Sequence, residues 1–229
     1  MIAEEIHKIH AQLPEGVDLV AVSKYHPSAA IREAYDAGQR LFGESHAQEL
    51  QRKHIELSDL MASQDSGKCL EWHFIGHLQT NKVKYIAPYV SLVHSVDSPR
   101  LLAEINKQAL KAGRVIPCLL QLHVAAEDTK FGFTCDEAVA YLDTGEWQQY
   151  KWVLLSGIMT MATNTDDTKR IHQDFQTARQ LFERARHDYF PDGHFSVLSM
   201  GMSDDWHIAV DEGSTLIRIG TQIFGQRQY

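Results

Sequence analysis

Val17-Asp-Leu-Val-Ala-Val22-Ser-Lys-Tyr-His-Pro27 is a β-rich run that opens into a lysine-bearing turn. The run is almost continuously apolar, as expected of a strand buried on both faces of a parallel sheet. An open doubly wound sheet that binds a dinucleotide would carry a glycine-rich turn directly after its first strand. Ser23-Lys-Tyr-His-Pro27 contains no glycine. The fold therefore depends on how often the strand-turn-helix unit repeats.

Upstream, Ile2, Ile6, Ile9 and Leu13 have helical spacing, so residues 2–13 read as an amphipathic lead-in helix stopped by Pro14 and Gly16. Downstream, Ser28 caps a helix with Ile31, Ala34 and Tyr35 on one face and Gly38 at its end. Residues 40–42 form the next strand, followed by a helix to about residue 60 and a poorly patterned stretch at 61–70. A strand at 72–75, a helix at 78–86 and a strand at 90–94 follow. Ser98 and Pro99 open a helix as N-cap and N1, and Gly113 closes it. A strand at 116–124 leads to a capping box at Thr134 and Glu137, starting a helix that runs to Gly145. Residues 152–155 are a strand ending in Gly157-Ile-Met159, and 168–188 a long helix. Strands at 195–198 and 215–217 flank a helix that Ser203 caps. Eight strands alternating with helices predict a (β/α)8 barrel, one domain over residues 1–229 with an extra N-terminal helix.

The composition narrows the function. A net charge of −8 argues against a nucleic-acid surface. No segment approaches the roughly 20 apolar residues of a membrane helix, and residues 1–13 lack a signal peptide's apolar core. Cys69, Cys118 and Cys135 share no ligand-like spacing, and neither His7-x-x-His10 nor His73-x-x-x-His77 has supporting carboxylates or cysteines. No metal is expected, and the chain reads as cytoplasmic. Nothing in the surface pattern marks a dimer seam, so a monomer is the default. Arg52, Lys53, Lys82 and Lys84 read as solvated helix faces.

In barrels of this kind, function gathers at the C-terminal ends of the strands and phosphates sit after strands seven and eight. Those two places hold Ser199-Met-Gly-Met-Ser203 and Arg218-Ile-Gly-Thr221. Each is also compatible with an ordinary turn. Lys24 ends the first strand, next to the eighth once the barrel closes. A lysine desolvated there has the chemistry to form a Schiff base with a carbonyl, although its stem alone can pack while the ammonium reaches water. With a phosphate cradle and Arg218 beside it, a phosphate-bearing aldehyde such as pyridoxal 5′-phosphate (PLP) is the economical ligand. Arg218 as partner of the pyridine nitrogen leaves that nitrogen unprotonated and weakens carbanion stabilisation. As an alternative, Arg218 forms a barrel-end ion pair.

Several motifs together resemble the YggS/PROSC family of PLP homeostasis proteins over almost the whole length. They are Ala21-Val-Ser-Lys24, Phe42-Gly-Glu44, Glu71-Trp-His-Phe-Ile-Gly76 with Leu78-Gln-Thr-Asn-Lys82, Gly157-Ile-Met159, Ser199-Met-Gly-Met-Ser-Asp204, and Arg218-Ile-Gly-Thr221 with Phe224-Gly225. That family is similar in fold to the barrel of bacterial alanine racemases. The resemblance implies Lys24 as the Schiff-base lysine and Ser199, Gly201, Ser203, Gly220 and Thr221 as phosphate contacts. It also implies Arg218 at the pyridine nitrogen, with Met159 and His73 at strand ends near the ring. Lys82 matches a lysine linked to secondary cofactor handling. Ser45 stands where the family has asparagine near the phenolic oxygen, so its reach is shorter. No counterpart of the racemases' second, β-rich domain is expected after the barrel. The implied function is holding PLP for intracellular homeostasis without turnover, with PLP-dependent apo-enzymes as possible recipients. The alternatives are an amino-acid racemase of limited scope and a Schiff-base aldolase or phosphosugar-binding barrel.

Overall fold

Eight parallel strands pair in chain order and close on themselves in the computed structural model, which describes residues 1–61, 69–125 and 131–226. They are β1 (Asp18–Val22), β2 (Leu41–Glu44), β3 (Glu71–Phe74), β4 (Leu92–Val96), β5 (Ile116–Gln121), β6 (Val153–Met159), β7 (Val197–Ser199) and β8 (Leu216–Ile219). The seam joins β1 to β8, with Asp18 opposite Leu216 and Val20 opposite Arg218. The expected (β/α)8 barrel is the fold.

Side-chain alternation along each strand divides the apolar residues into two sets. Leu19, Ala21, Phe42, Trp72, Phe74, Ile217 and Ile219 belong to the large cluster beneath the helices. Val20, Leu92, Leu119, Met159 and Leu216 form a separate cluster in the lumen. Each Val, Leu, Ile, Phe or Met side chain among them, fully buried, contributes about 1.5–3 kcal/mol.

The helices following the strands are α2 (Ser28–Asp36), α3 (Ala47–Glu56), α4 (Val83–Ile86), α5 (Pro99–Ala112), α6 (Cys135–Asp143), α7 (Thr168–Asp188), α8 (Trp206–Asp211) and α9 (Thr221–Phe224), with α1 (Ile2–His10) ahead of the barrel. The punctuation read from the sequence operates at α5 and α6, whereas Ser28 is the first residue of α2 rather than its cap, with Pro27 at the N-cap and the serine hydroxyl donating to Glu56 instead. Ser98 Oγ accepts from the Leu101 N–H at 3.3 Å, and Gly113 ends α5 at φ 67°. Thr134 and Glu137 exchange both bonds of a capping box, at 3.2 and 2.8 Å.

Several boundaries move. β4 starts and ends two residues later than expected, which places His94 inside the strand. β7 and β8 run on to include Ser199 and Arg218, because their neighbours offer ladder partners: Met159 lies opposite Ser199, and Val20 opposite Arg218. The helix expected at 78–86 is a 3₁₀ turn, Thr80–Lys82, followed by α4, since Gln79 is extended at ψ 138°. Ser203 does not cap α8. The Asp205 and Trp206 N–H groups both donate to the Met202 carbonyl, forming a tight turn that delays the helix to Trp206 with Asp205 as N-cap. Most of the stretch at 61–70, including the polar loop at 63–68, lies outside the described residues.

Candidate functional site

The two glycine turns meet at the C-terminal rim. The Arg218 N–H donates to the Gly201 carbonyl at 3.0 Å, tying the turn after β7 to β8. Gly201 sits at φ 97°, and a Cβ there would lie 2.7 Å from the Ala209 Cβ and 2.9 Å from the Trp206 Cα. At Gly220 a Cβ would come within 3.1 Å of the Val22 carbonyl oxygen. Both turns therefore present backbone where a side chain has no room. The second opens α9 at Thr221, and the N–H groups of a helix's first turn have no intrahelical acceptors. Val22 lies two residues before Lys24, so the lysine turn and the second glycine turn share one rim.

The half-buried Lys24 is gripped through both of its neighbours. Ser23 Oγ donates to Glu44 Oε1 at 2.6 Å, and the Ser23 carbonyl accepts from Lys53 Nζ at 2.8 Å. The Tyr25 N–H donates to Glu49 Oε1 at 2.7 Å. Lys53 joins the two carboxylates, at 2.7 Å to Glu44 and 2.8 Å to Glu49. Tyr25 is held at φ 68°, a backbone state that costs a non-glycine residue about 1–3 kcal/mol and persists only under such constraint. Burial pushes the Glu44 carboxyl up, against the pull of Lys53.

This corrects one expectation. Arg52 is exposed and pairs with Glu56 at 2.8 Å, as a solvated helix face should. Lys53, the next residue, points the other way along α3 and is fully buried between that helix and the ends of β1 and β2.

Inside the lumen a polar column crosses the barrel. Arg218 Nη1 donates to Ser199 Oγ at 2.6 Å, and Arg218 Nη2 to the Thr160 carbonyl at 2.9 Å. Ser199 Oγ lies 3.1 Å from His94 Nδ1, and His94 Nε2 lies 3.0 Å from His73 Nδ1. β4 and β7 are not neighbours in the barrel, so the His94–Ser199 bond spans its interior. Burial lowers His73 to about 4 and His94 well below its ordinary value, and His73 and the Arg218 charge add to the effect on His94. Burial also lowers Arg218 to about 10, which the nearby Asp205 opposes. Arg218 remains a cation at neutral pH.

Among the residues singled out from sequence, Lys24, Gly201, Ser203, Gly220 and Thr221 lie on the turns at the rim. Met159 ends β6 beneath them, in the lumen cluster. Ser45 Oγ lies 3.2 Å from His46 Nδ1, at a depression of about 390 Å³ that it lines with Gly76, His77 and Lys82. The Ser199 hydroxyl is fully buried and engaged by Arg218 and His94. His73 lies in the lumen, bonded to His94, and also lines a depression of about 470 Å³ with Asp18, Leu92 and Thr215, around the barrel's N-terminal end. It occupies the third of the four positions in β3 and is 5% exposed. Glu44, Glu49, His94 and Thr160 received no role from sequence, and Lys53 only that of a solvated helix face. The i,i+4 spacing of Glu49 and Lys53 was a visible signal; the convergence on Ser23 and Tyr25 was not.

Comparison with known proteins agrees with this geometry. The family described as "Alanine racemase, N-terminal domain" matches residues 1–228. A pyridoxal phosphate homeostasis protein of Aquifex aeolicus is 37% identical over 212 residues, covering 92% of this chain and 87% of its own. The solved structure of PipY from Synechococcus elongatus with PLP bound superposes with a TM-score of 0.87 at 38% identity, covering 98% of this chain and all of PipY (100%). An alanine racemase of Clostridium difficile shares the fold alone, with a TM-score of 0.73 at 14% identity and 57% of that chain covered. With a lysine turn, paired glycine turns and a buried arginine on a closed barrel, and with matches spanning nearly its full length, the chain belongs to the family of pyridoxal phosphate homeostasis proteins, built on the alanine racemase N-terminal barrel.

Proposed function

We propose that this chain binds PLP at the barrel mouth and takes part in intracellular PLP homeostasis without catalytic turnover. The observation that carries the proposal is Arg218, a donor-only cation 4% exposed. Its backbone is bonded to the Gly201 turn, and it pairs across the seam with the strand leading to Lys24. The group fits the residues present, because Gly201 and Gly220 leave backbone rather than side chains facing an anion. Gly201, Ser203, Gly220 and Thr221 would hold the phosphate, and Arg218 would face the pyridine nitrogen, steadied by Ser199. Met159 and Ser45 would border the ring. Lys24 Nζ would bond the aldehyde carbon with loss of water. PLP supplies a reactive aldehyde and an electron-withdrawing ring when bound. Arg218 stays protonated at neutral pH, so it would donate a hydrogen bond to the ring nitrogen without transferring its proton, which keeps that ring a weak electron sink and favours holding over turnover.

The relatives, named as pyridoxal phosphate homeostasis proteins, support a homeostatic role. PLP-dependent apo-enzymes are the recipients this reading implies, with the chain acting as a monomeric single domain over residues 1–229. Placement in the cytoplasm accords with the absence of a disulfide among the described residues and with the full burial of Cys118. No helix among the described residues is long and apolar enough to cross a membrane.

A visible absorption band is expected when PLP is added to the purified chain, and Lys24→Ala should lack it. A chain that stays colourless with added PLP would overturn the reading. Solvent deuterium exchange into amino acids should run no faster than with free PLP; faster, Lys24-dependent exchange would mark a racemase instead.

A further inference from the structure

We infer that Arg218, Ser199, His94 and His73 form a one-way hydrogen-bond column down the lumen, with its direction dictated by Arg218, and that Ser199 and His94 position that guanidinium. A guanidinium only donates, so the bond at 2.6 Å makes Ser199 Oγ an acceptor. The serine hydroxyl carries one proton and lies fully buried. Its other bonded partner is His94 Nδ1 at 3.1 Å. If His94 donated from Nδ1, the serine oxygen would accept twice and its own proton would be buried without an acceptor among the bonds observed. Donation from Ser199 to His94 Nδ1 satisfies both groups.

That choice propagates. With Nδ1 an acceptor, the His94 ring carries its proton on Nε2 and donates to His73 Nδ1 at 3.0 Å. His73 in turn must keep its proton on Nε2. The column thus runs from a cation at the rim to a neutral ring near the barrel floor, where Asp18 and Glu71 line the same depression as His73.

The other charged groups act in the same sense. Protonating His94 would end its acceptance from Ser199 and add a second cation beside Arg218, whose charge Asp205 offsets. Two neutral rings of fixed tautomer leave the guanidinium as the single charge in the column. With Nη1 held by Ser199 and Nη2 by Thr160, its plane is fixed from below.

The tautomers are independent of any cofactor, whereas the positioning role rests on the PLP reading above. Long-range ¹H–¹⁵N spectra of the imidazoles in the purified full chain, without added PLP, test the first. His73→Gln and His94→Gln assign the signals. Both rings are expected neutral and protonated on Nε2 at pH 6, where an exposed histidine with a pKa of about 6.5 is mostly charged. A proton on Nδ1 of either ring, or an imidazolium at pH 6, overturns the column. If the glutamine variants do not fold, Ser199→Ala assigns His94 through the shift of its Nδ1. The same variant tests positioning: the Arg218 Nη protons, held apart in the parent, should merge by rotation, and PLP affinity should fall about tenfold while the visible band remains. Unchanged Nη signals with unchanged affinity would remove the positioning role. Loss of the PLP reading through Lys24→Ala would leave the ¹⁵N result standing.

Discussion

Replacing Lys53 with methionine would strand two carboxylates and the Ser23 carbonyl behind the lysine turn. Removing one partner of a buried pair typically costs about 3–5 kcal/mol, because the remaining charge has no solvent to replace it. That loss is expected for Lys53→Met in urea unfolding, with less for Lys53→Met combined with Glu44→Gln, which removes the more deeply buried of the two orphaned charges. Equal losses would show that the lysine acts through packing alone. The position matters beyond stability, since the same cluster grips Ser23 and Tyr25 on either side of Lys24. A second residue-scale test lies at Gly201. Alanine there meets both an unfavourable φ of 97° and the Trp206 backbone at 2.9 Å, so Gly201→Ala should lose about 1–3 kcal/mol in thermal unfolding and weaken PLP binding as the turn withdraws.

Among the elements, β6 and β7 meet at Gly157 with no room for a side chain. A Cβ at Gly157 would sit 1.7 Å from the Val197 carbonyl oxygen, a distance that no rotamer change relieves. Gly157→Ala must therefore separate the two strands. About 3 kcal/mol of lost stability is expected, together with loss of the Met159–Ser199 pairing that sets Arg218's partner in place. Amide exchange at Ser199 and Thr160 would report it, and protection equal to the parent's would contradict it. The capping box of α6 is a milder case. Thr134→Ala removes an acceptor from one helix end and should cost about 1 kcal/mol, read in the melting midpoint, with PLP binding unaffected.

At the scale of the whole molecule, the lumen histidines link stability to pH. His73 is held neutral by burial, with its value lowered from 6.5 to about 4. The unfolded chain binds that proton more readily, so the contribution is fully present above pH 6.5 and is lost as pH falls toward 4. His94 acts in the same direction to still lower pH. For His73 alone the shift corresponds to about 3 kcal/mol. Melting temperatures should therefore fall steeply between pH 6.5 and 4, and His73→Gln should flatten that slope even if it lowers the plateau. A slope unchanged by the substitution would mean that other groups carry the acid sensitivity.

The linear order of strands and helices, the barrel, and the turns that bear Lys24, Gly201 and Gly220 were legible in the sequence. Each rests on contacts between residues near one another in the chain: alternating burial, caps such as Ser98 and Thr134, and apolar runs of strand length. The match of the two glycine turns to strands seven and eight needed only counting. Tertiary structure alone decided which polar side chains turn inward. Lys53 looked no different from its exposed neighbour Arg52 until α3 docked against β1 and β2. His94 and Ser199 stand 105 residues apart and meet only because the closed barrel brings non-adjacent strands face to face. His73 has the parity for the lumen that alternation along β3 implies, but its bond to His94 depends on strand register, and register is set by neighbouring strands rather than by the residues of the strand itself.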